Sequence, residues 1–596
     1  MILQALADYH KRLVSEGNHE IAPEAFQRKE IPYVISIDLD GKLTGITDTR
    51  SGEGKKKRAR PFNVPKVFEG SRTINVKANL LWDKASYVFG VGPKTKPDRL
   101  VKQREAFRNT IVKYFPNTQS VKPVGAVLKF LDRNVSAIKS YKEWDEISTK
   151  DPNIAFQLSG QNELICNSGE VMEALIRGAA AGQDTGMCLI TGNIEQLVRL
   201  ENPFRGLAGS GKAESHWVAF NKSAYWSYGK EHGANAPIGK SASDAYVSAF
   251  NYLQRSDSRQ KIQVGDATTV FWAEKKHDFE GAFADIFGVG PAKGEPEQDY
   301  KQMLALFRSP DSGARPESDP KTKFYVLGLA PNAARISVRF WYAGTVGSIA
   351  ANIGQHFDDL DMVKGPKEWR TIALPWLLRA TALQAEDKNI APNLAGDTMK
   401  AILTGTPYPR TLLVSVINRT RAEQSKKGSN GKSIPNVTYT RAALIKAILA
   451  RDTRYYRRNE KEVGMSLDTS NTSPGYLLGR LFAVLERAQE SASPGINATI
   501  RDRFYGAASS TPVTVFPHLM KLKNYHIAKL ENKGQAVNLE KQIGEIIGKL
   551  AADNAFPSHL ALPEQGRFAV GYYHQRQDFF TKKDDNSGKS RRENNE

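Results

Sequence analysis

The pattern of apolar and polar positions predicts a chain that is mixed at first and helical later. Leu3, Leu6 and Leu13 recur at helical spacing among Asp8, Lys11, Arg12 and Glu16, so residues 1–16 predict an amphipathic surface helix. Ile31 to Thr47 predicts a hairpin: Tyr33, Ile35 and Ile37 alternate before the turn Asp40-Gly41, and Leu43 follows. From 71 to 80 the alternation is strict. Ile74, Val76, Ala78 and Leu80 share one parity; Thr73, Asn75, Lys77 and Asn79 share the other. On a strand the second set forms one polar face. A basic helix is expected at Val101–Tyr114 and another helix at Glu163–Ala181. Strands are expected at Met187–Thr191, Trp217–Asn221, Ala267–Ala273, Lys323–Leu329 and Ile336–Tyr342, the last with Arg335 and Arg339 on its polar parity.

Beyond residue 365 helical spacing dominates. Ser473 is placed to cap a helix with Pro474 in its first turn, and Leu478, Leu481, Leu485 and Ala488 form its apolar stripe. Leu539, Ile543, Ile546 and Leu550 mark a further helix. The polar stretch 423–436 is a boundary candidate, and the tail from Lys582 is expected to be disordered. The fold class is therefore α+β: a large mixed N-terminal α/β region followed by a C-terminal all-helical bundle. Four regions are expected: a basic α/β region at 1–115, a central mixed domain at 116–400, a basic helical connector at 401–464 and a helical bundle at 465–596.

Composition narrows the class. With 40% apolar and 25% charged residues, the 596-residue chain is neither disordered as a whole nor collagen-like. Cys166 and Cys188 alone exclude a disulfide framework and a four-thiolate zinc site. Apolar runs such as Leu412 to Ile417 are far shorter than the ~18 residues of a membrane span, and the first residues do not read as a secretion signal. A cytoplasmic protein with no membrane partner is expected.

The net charge of +20 is unevenly spread. Residues 51–113 hold 16 Lys/Arg against 5 Asp/Glu, and residues 401–463 hold 13 against 4. Those two windows carry the whole excess. Basic windows on a neutral background suggest faces for a polyanion; the alternative is ordinary solvated surface.

Three motifs bear on chemistry. Gly206 to Lys212 (GLAGSGK) matches most of a phosphate-binding loop, but Ala213 stands where magnesium binding needs a hydroxyl, and residues 201–205 are not a buried strand. A flexible Gly/Ser loop is the better reading. His356 to Asp361 (HFDDLD) resembles a metal-nuclease fragment, yet one His with nearby carboxylates does not fix a cation, and Ile349, Ile353, Phe357 and Leu360 make it a helix. Tyr225, Trp226, Tyr228, Lys230, His232 and Asn235 cluster aromatic, basic and amide groups. Such a cluster suits stacking on bases and pairing with phosphates, and equally suits a core edge with polar tips. No catalytic residue and no cofactor is expected.

The chain resembles the large subunit of the type I-C (Dvulg subtype) CRISPR interference complex, Cascade, over nearly its whole length. The residues that carry the resemblance are Met1–Leu6, Ala78–Asp83 with Tyr87 and Gly90, Thr191-Gly192, Val218–Asn221, Ser227–Glu231, Asn235–Pro237, Thr269–Glu274, Gly328–Asn332, Arg335–Arg339 and Tyr476–Phe482. The resemblance implies a non-catalytic, RNA-guided surveillance subunit. It would read the short PAM motif in duplex DNA, help open the duplex, support the displaced strand and help recruit a separate helicase-nuclease. Its partners would be the CRISPR RNA-bearing backbone and foot subunits, target double-stranded DNA, that effector, and a small subunit translated from an internal start. The alternatives are a P-loop NTPase, a metal-dependent nuclease or a general RNA-binding protein.

Within that frame, Arg72, Thr73, Asn75, Lys77 and Asn79 are the PAM candidates, with Lys55, Lys56, Lys57, Arg58 and Arg60 for the DNA backbone. Asn221, Tyr228, Lys230 and Asn235 are further nucleic-acid candidates. Arg451, Arg454, Arg457 and Arg458 suit the displaced strand. Met465 is the candidate internal start, because Lys461-Glu462-Val463 can be encoded by a ribosome-binding sequence.

Overall fold

A computed structural model describes residues 1–580 apart from 53–57, 68–75, 118–120, 180–184, 208–215, 288–318, 369–371 and gaps of one or two residues elsewhere. The chain divides into two compact units, Met1–Ser258 with Pro331–Ser337 and Arg259–Ala330 with Val338–Glu596.

In the first unit, Ile2–Ser15 (α1) forms as its apolar spacing predicts, burying Leu6, Tyr9 and Leu13. Tyr33–Ile37 (β1) and Leu43–Asp48 (β2) make the expected hairpin. Its turn closes through the Asp38 carboxylate, which accepts the Asp40 and Lys42 N–H groups, and through Gly41 at φ 77°. Trp82–Lys84 (β3) and Asn153–Leu158 (β4) complete a four-stranded sheet of order β2-β1-β4-β3, with β1 and β4 parallel. The two central strands are buried along most of their length, which explains why β4 reads as a run (NIAFQL) rather than an alternation. Pro97–Tyr114 (α2) begins at its proline, earlier than the apolar spacing indicates, and sends Phe107 and Ile111 into the core, where Phe107 stacks on Phe156 at 6.5 Å. The helix expected from Glu163 begins only at Gly169, after a short 3-10 turn at Ile165–Asn167. Thr185–Met187 (β5) and Ile194–Gln196 (β6) pair as a small hairpin, a few residues off the expected strand. Lys240–Gln254 (α3) packs along α1, and Asn18 donates to the Tyr252 hydroxyl at 2.8 Å.

Three strand expectations fail. Of Met187–Thr191 only Met187 is in a strand, and 189–191 form a turn. Residues 76–79 lie in no strand; the Asn79 N–H goes to the Asp83 carboxylate at 2.8 Å instead of to a ladder partner. The described residues 217–220 are also irregular, because the Trp217 and Val218 N–H groups go to the Glu201 carboxylate.

A second sheet is formed in chain order by Lys261–Val264 (β7), Ala267–Ala273 (β8), Lys323–Asn332 (β9) and Arg335–Thr345 (β10), all but residues 331–337 of which belong to the second unit. All seven residues of β8 are buried, as expected of a strand covered on both faces. Val346–Leu360 (α4) follows β10 directly, with Thr345 and Ser348 forming a capping box. Arg410–Ala422 (α5) and Tyr439–Tyr455 (α6) are joined by the polar stretch, which is a loop inside this unit and not a boundary: Glu423 at one end pairs with Arg441 at the other, 2.8 Å apart. Pro474–Ala492 (α7) and Leu562–Asp578 (α8) lie backbone against backbone. Gly475 and Gly479 meet the Glu564 and Phe568 carbonyls, and Gly571 meets that of Tyr476, so a Cβ at any of the three would clash. Pro474 opens α7 as expected, but the Ser473 hydroxyl donates to Glu564 at 2.8 Å rather than capping its own helix. One apolar core runs from Ile262 to Tyr573. The protein is α+β, with the mixed part first and the helices last.

Candidate nucleic-acid interface

The basic loop of the first window is anchored at a rigid root. Arg50–Ser51 pairs with Arg58–Ala59 across it. The Arg50 guanidinium binds Asp48 at 2.7 Å and Glu146 at 2.5 Å and lies over the Tyr33 ring. Those two carboxylates hold the arginine's pKa above its usual range. From this root, Arg58 and Arg60 project as exposed side chains, Arg60 resting on Phe62 at 5.1 Å. Lys55, Lys56 and Lys57 lie outside the described residues, as do Arg72, Thr73 and Asn75. Lys77 is exposed. Asn79 is only 2% exposed, so the accessible polar face expected from the alternation does not extend to it. On α2, Lys102, Arg108 and Lys113 are exposed, with Arg108 held by Asp132 at 2.9 Å.

The second window is built differently. Arg451 is 3% exposed, bound to Asp359 at 3.1 Å, donating to the Ala401 carbonyl and stacked over Tyr408 at 4.3 Å. It is not a surface cation, contrary to expectation. A chain that brings a guanidinium inside must supply acceptors, and a carboxylate, a carbonyl and a ring do so. Arg454 shares Asp359, at 2.5 Å, and also reaches Glu462 at 2.7 Å. Lys446 donates to the Asp358, Asp359 and Asp361 carbonyls at the end of α4, where a cation meets the negative pole of the helix. Beyond α6, Arg457 and Arg458 stay exposed beside Tyr455 and Tyr456, both more than half exposed.

The metal-nuclease fragment resolves in the same cluster. The His356 Nδ1 is 2.5 Å from the Tyr408 hydroxyl, and burial beside Arg451 pushes its pKa down to about 3. Asp359 is engaged by both arginines. Among the described residues, no three His, Cys, Asp or Glu side chains are grouped to hold a metal. Gly206 and residues 208–212 of the phosphate-loop match lie outside the described residues.

The aromatic cluster of the first unit forms one braced loop. The Asn235 Oδ1 accepts the Ser227 N–H at 2.9 Å, and its Nδ2 donates to the Lys230 and His232 carbonyls at 2.8 and 3.0 Å. Both ends of that amide are thus used within the loop, so Asn235 shapes it. The Trp226 indole donates to the Phe220 carbonyl at 3.0 Å, and its ring meets His232 edge-on at 5.2 Å. Lys222, Tyr228 and Lys230 are exposed on this frame; Asn221 lies outside the described residues. Tyr225 is half-buried to exposed at 39%. The sequence motif marked the cluster, but only the contacts separate its presenting residues from its braces. Asp359 was missed as a structural hub, because its partners are 92 and 95 residues away along the chain.

Cations on two exposed surfaces, with rings among them, can grip phosphates and meet bases. Met465 is 53% exposed in the connection between α6 and α7, with its carbonyl bound to the Val363 N–H at 2.8 Å. No curated protein matches the chain. The family model described as CRISPR-associated protein (Cas_Csd1) matches residues 6–580, nearly end to end. The chain therefore belongs to the Cas_Csd1 family of CRISPR-associated proteins.

Proposed function

We propose that the chain is the non-catalytic large subunit of a type I-C RNA-guided surveillance complex, reading the PAM in duplex DNA, helping to open the target and stabilising the R-loop. The observation that carries this reading is the family match over residues 6–580. The exposed cations of the first window, Arg58, Arg60 and Lys77 together with Lys102 and Lys113 of α2, support a role in holding the DNA backbone. Guide pairing reads the long target, so the protein needs only a short motif and duplex shape. The side chains that suggested metal chemistry, His356 and Asp359, are occupied by Tyr408, Arg451 and Arg454, which favours binding over catalysis.

The same reading assigns recruitment of the helicase-nuclease to this subunit and an internal start to Met465, whose exposed connecting position suits the beginning of a separate helical product. The test is co-expression with the neighbouring CRISPR-associated subunits and a repeat–spacer transcript. A sized complex carrying repeat-derived RNA that binds PAM-containing duplex is expected. A chain that elutes alone, or turns over ATP or cuts DNA when pure, overturns the reading. Silent recoding of the region before Met465 is expected to remove the short product and leave the full chain.

A further inference from the structure

Ser227 and Lys230 form an antiparallel bridge, and the Lys230 N–H donates to the Ser227 carbonyl at 3.0 Å. Between them Tyr228 and Gly229 both take positive φ, 52° and 70°. This is the two-residue turn with left-handed conformation at both central positions, which favours Asn, Asp or Gly at the first. A tyrosine there is strained, because its Cβ crowds the following carbonyl. Burial gives nothing back: the Tyr228 side chain is 99% exposed. A strained residue persists only where its surroundings over-determine it, and such residues concentrate at functional sites.

The surroundings here do over-determine it. Asn235 ties both sides of the turn together. Gly233 fits against the Val198 and Arg199 carbonyls, where a Cβ would clash, and its N–H donates to Arg199 at 3.1 Å. A bare aromatic ring is thus held out from a rigid tip. Lys222 and Lys230 are exposed in the same loop; Glu231 is the single acidic residue between 222 and 236.

We propose that Tyr228 is a stacking platform for one unpaired nucleobase, with Lys222 and Lys230 taking the adjoining phosphates. This rests on the nucleic-acid reading above and adds to it the residue and the ligand group. A base fits better than a protein side chain because the loop that carries the ring also exposes two cations, and every base offers a π-face beside a phosphate. The neighbouring hairpin does expose Met187 and Ile194, cross-strand partners, and so makes a protein partner the competing occupant.

The test uses the purified full chain and DNA with a single-stranded stretch carrying 2-aminopurine at successive positions, whose fluorescence falls on stacking. Wild type is expected to quench the probe at one position. Tyr228→Asn relieves the turn, so it is expected to keep or raise the melting temperature, lose the quenching and bind single strands about tenfold more weakly. The salt slope should stay unchanged, because no charge is removed. Tyr228→Phe keeps the ring and should behave as wild type. If wild type binds DNA but Tyr228→Asn quenches and binds equally well, the platform is wrong and the nucleic-acid reading stands. If the substitution instead releases a co-purifying protein subunit with DNA binding intact, the turn is a protein-docking element and the proposal is overturned. If wild type binds no nucleic acid at all, the underlying reading fails and the platform with it.

Discussion

The two basic windows look alike as strings and differ as structures. In residues 51–113, no described Lys or Arg is buried; Lys66 and Arg99 are half-buried and the others exposed. In residues 401–463, Arg441, Lys446 and Arg451 are buried and paired with Glu423, with the carbonyls ending α4 and with Asp359. The first window keeps all its described cations at or near the surface. In the second, three of the 13 cations are buried in the structure, and Arg410, Lys426, Lys427, Arg457 and Arg458 are among those left exposed. A count of charges along a chain therefore measures cations, not cations available to a partner.

That contrast is broken most directly at Asp359. Asp359→Ala leaves Arg451 buried without its carboxylate and should destabilise the second unit by ~3–5 kcal/mol, read as a lower denaturant midpoint. If the midpoint holds, the buried cluster is not structural.

Acid is expected to act through two buried histidines. Burial and Arg451 push the His356 pKa down to about 3, and burial and Lys446 push that of His574 down to about 4. Both imidazoles are neutral in the folded chain, whereas unfolded ones take a proton near 6.5. The stability they confer is therefore complete above about pH 6.5 and falls as pH drops toward 4 and then 3, by up to ~1.4 kcal/mol per pH unit for each group. Denaturant melts across this range check the slope, and His356→Gln should reduce it by one proton.

In the first window the effect should move from stability to binding. Replacing Arg58, Arg60, Lys77 and Lys102 by Ala should change stability by no more than ~0.5 kcal/mol at each site. The log–log salt dependence of duplex binding should become shallower by ~0.9 for each phosphate that is no longer neutralised. An unchanged slope would mean that the window faces no DNA. The smallest stability change is expected from Arg457→Ala with Arg458→Ala, within ~0.5 kcal/mol at each site by thermal melt, because both side chains are exposed. Any loss of displaced-strand binding in that variant would restore the second window to the interface.

Much of the fold was readable from local pattern. Tyr33, Ile35 and Ile37 announced the hairpin, the stretch 267–273 a strand, and Leu478, Leu481 and Leu485 a helix, because each pattern lies within one element. The alternation at 71–80 misled at its end, since the Asp83 carboxylate competes for the Asn79 N–H and needs no second strand. The candidate site was half readable. Composition found the aromatic loop, but nothing in its letters separates Asn235, spent on bracing, from Tyr228, left bare at the tip.

Residue order alone was enough for the class, the helical end and the sign of the charge, because periodicity and ionisation belong to short segments. Which cation faces water was settled by folding. Arg451 is inside because Asp359, 92 residues earlier, arrives on another helix to meet it, and desolvating a charge is tolerable only where such a partner stands.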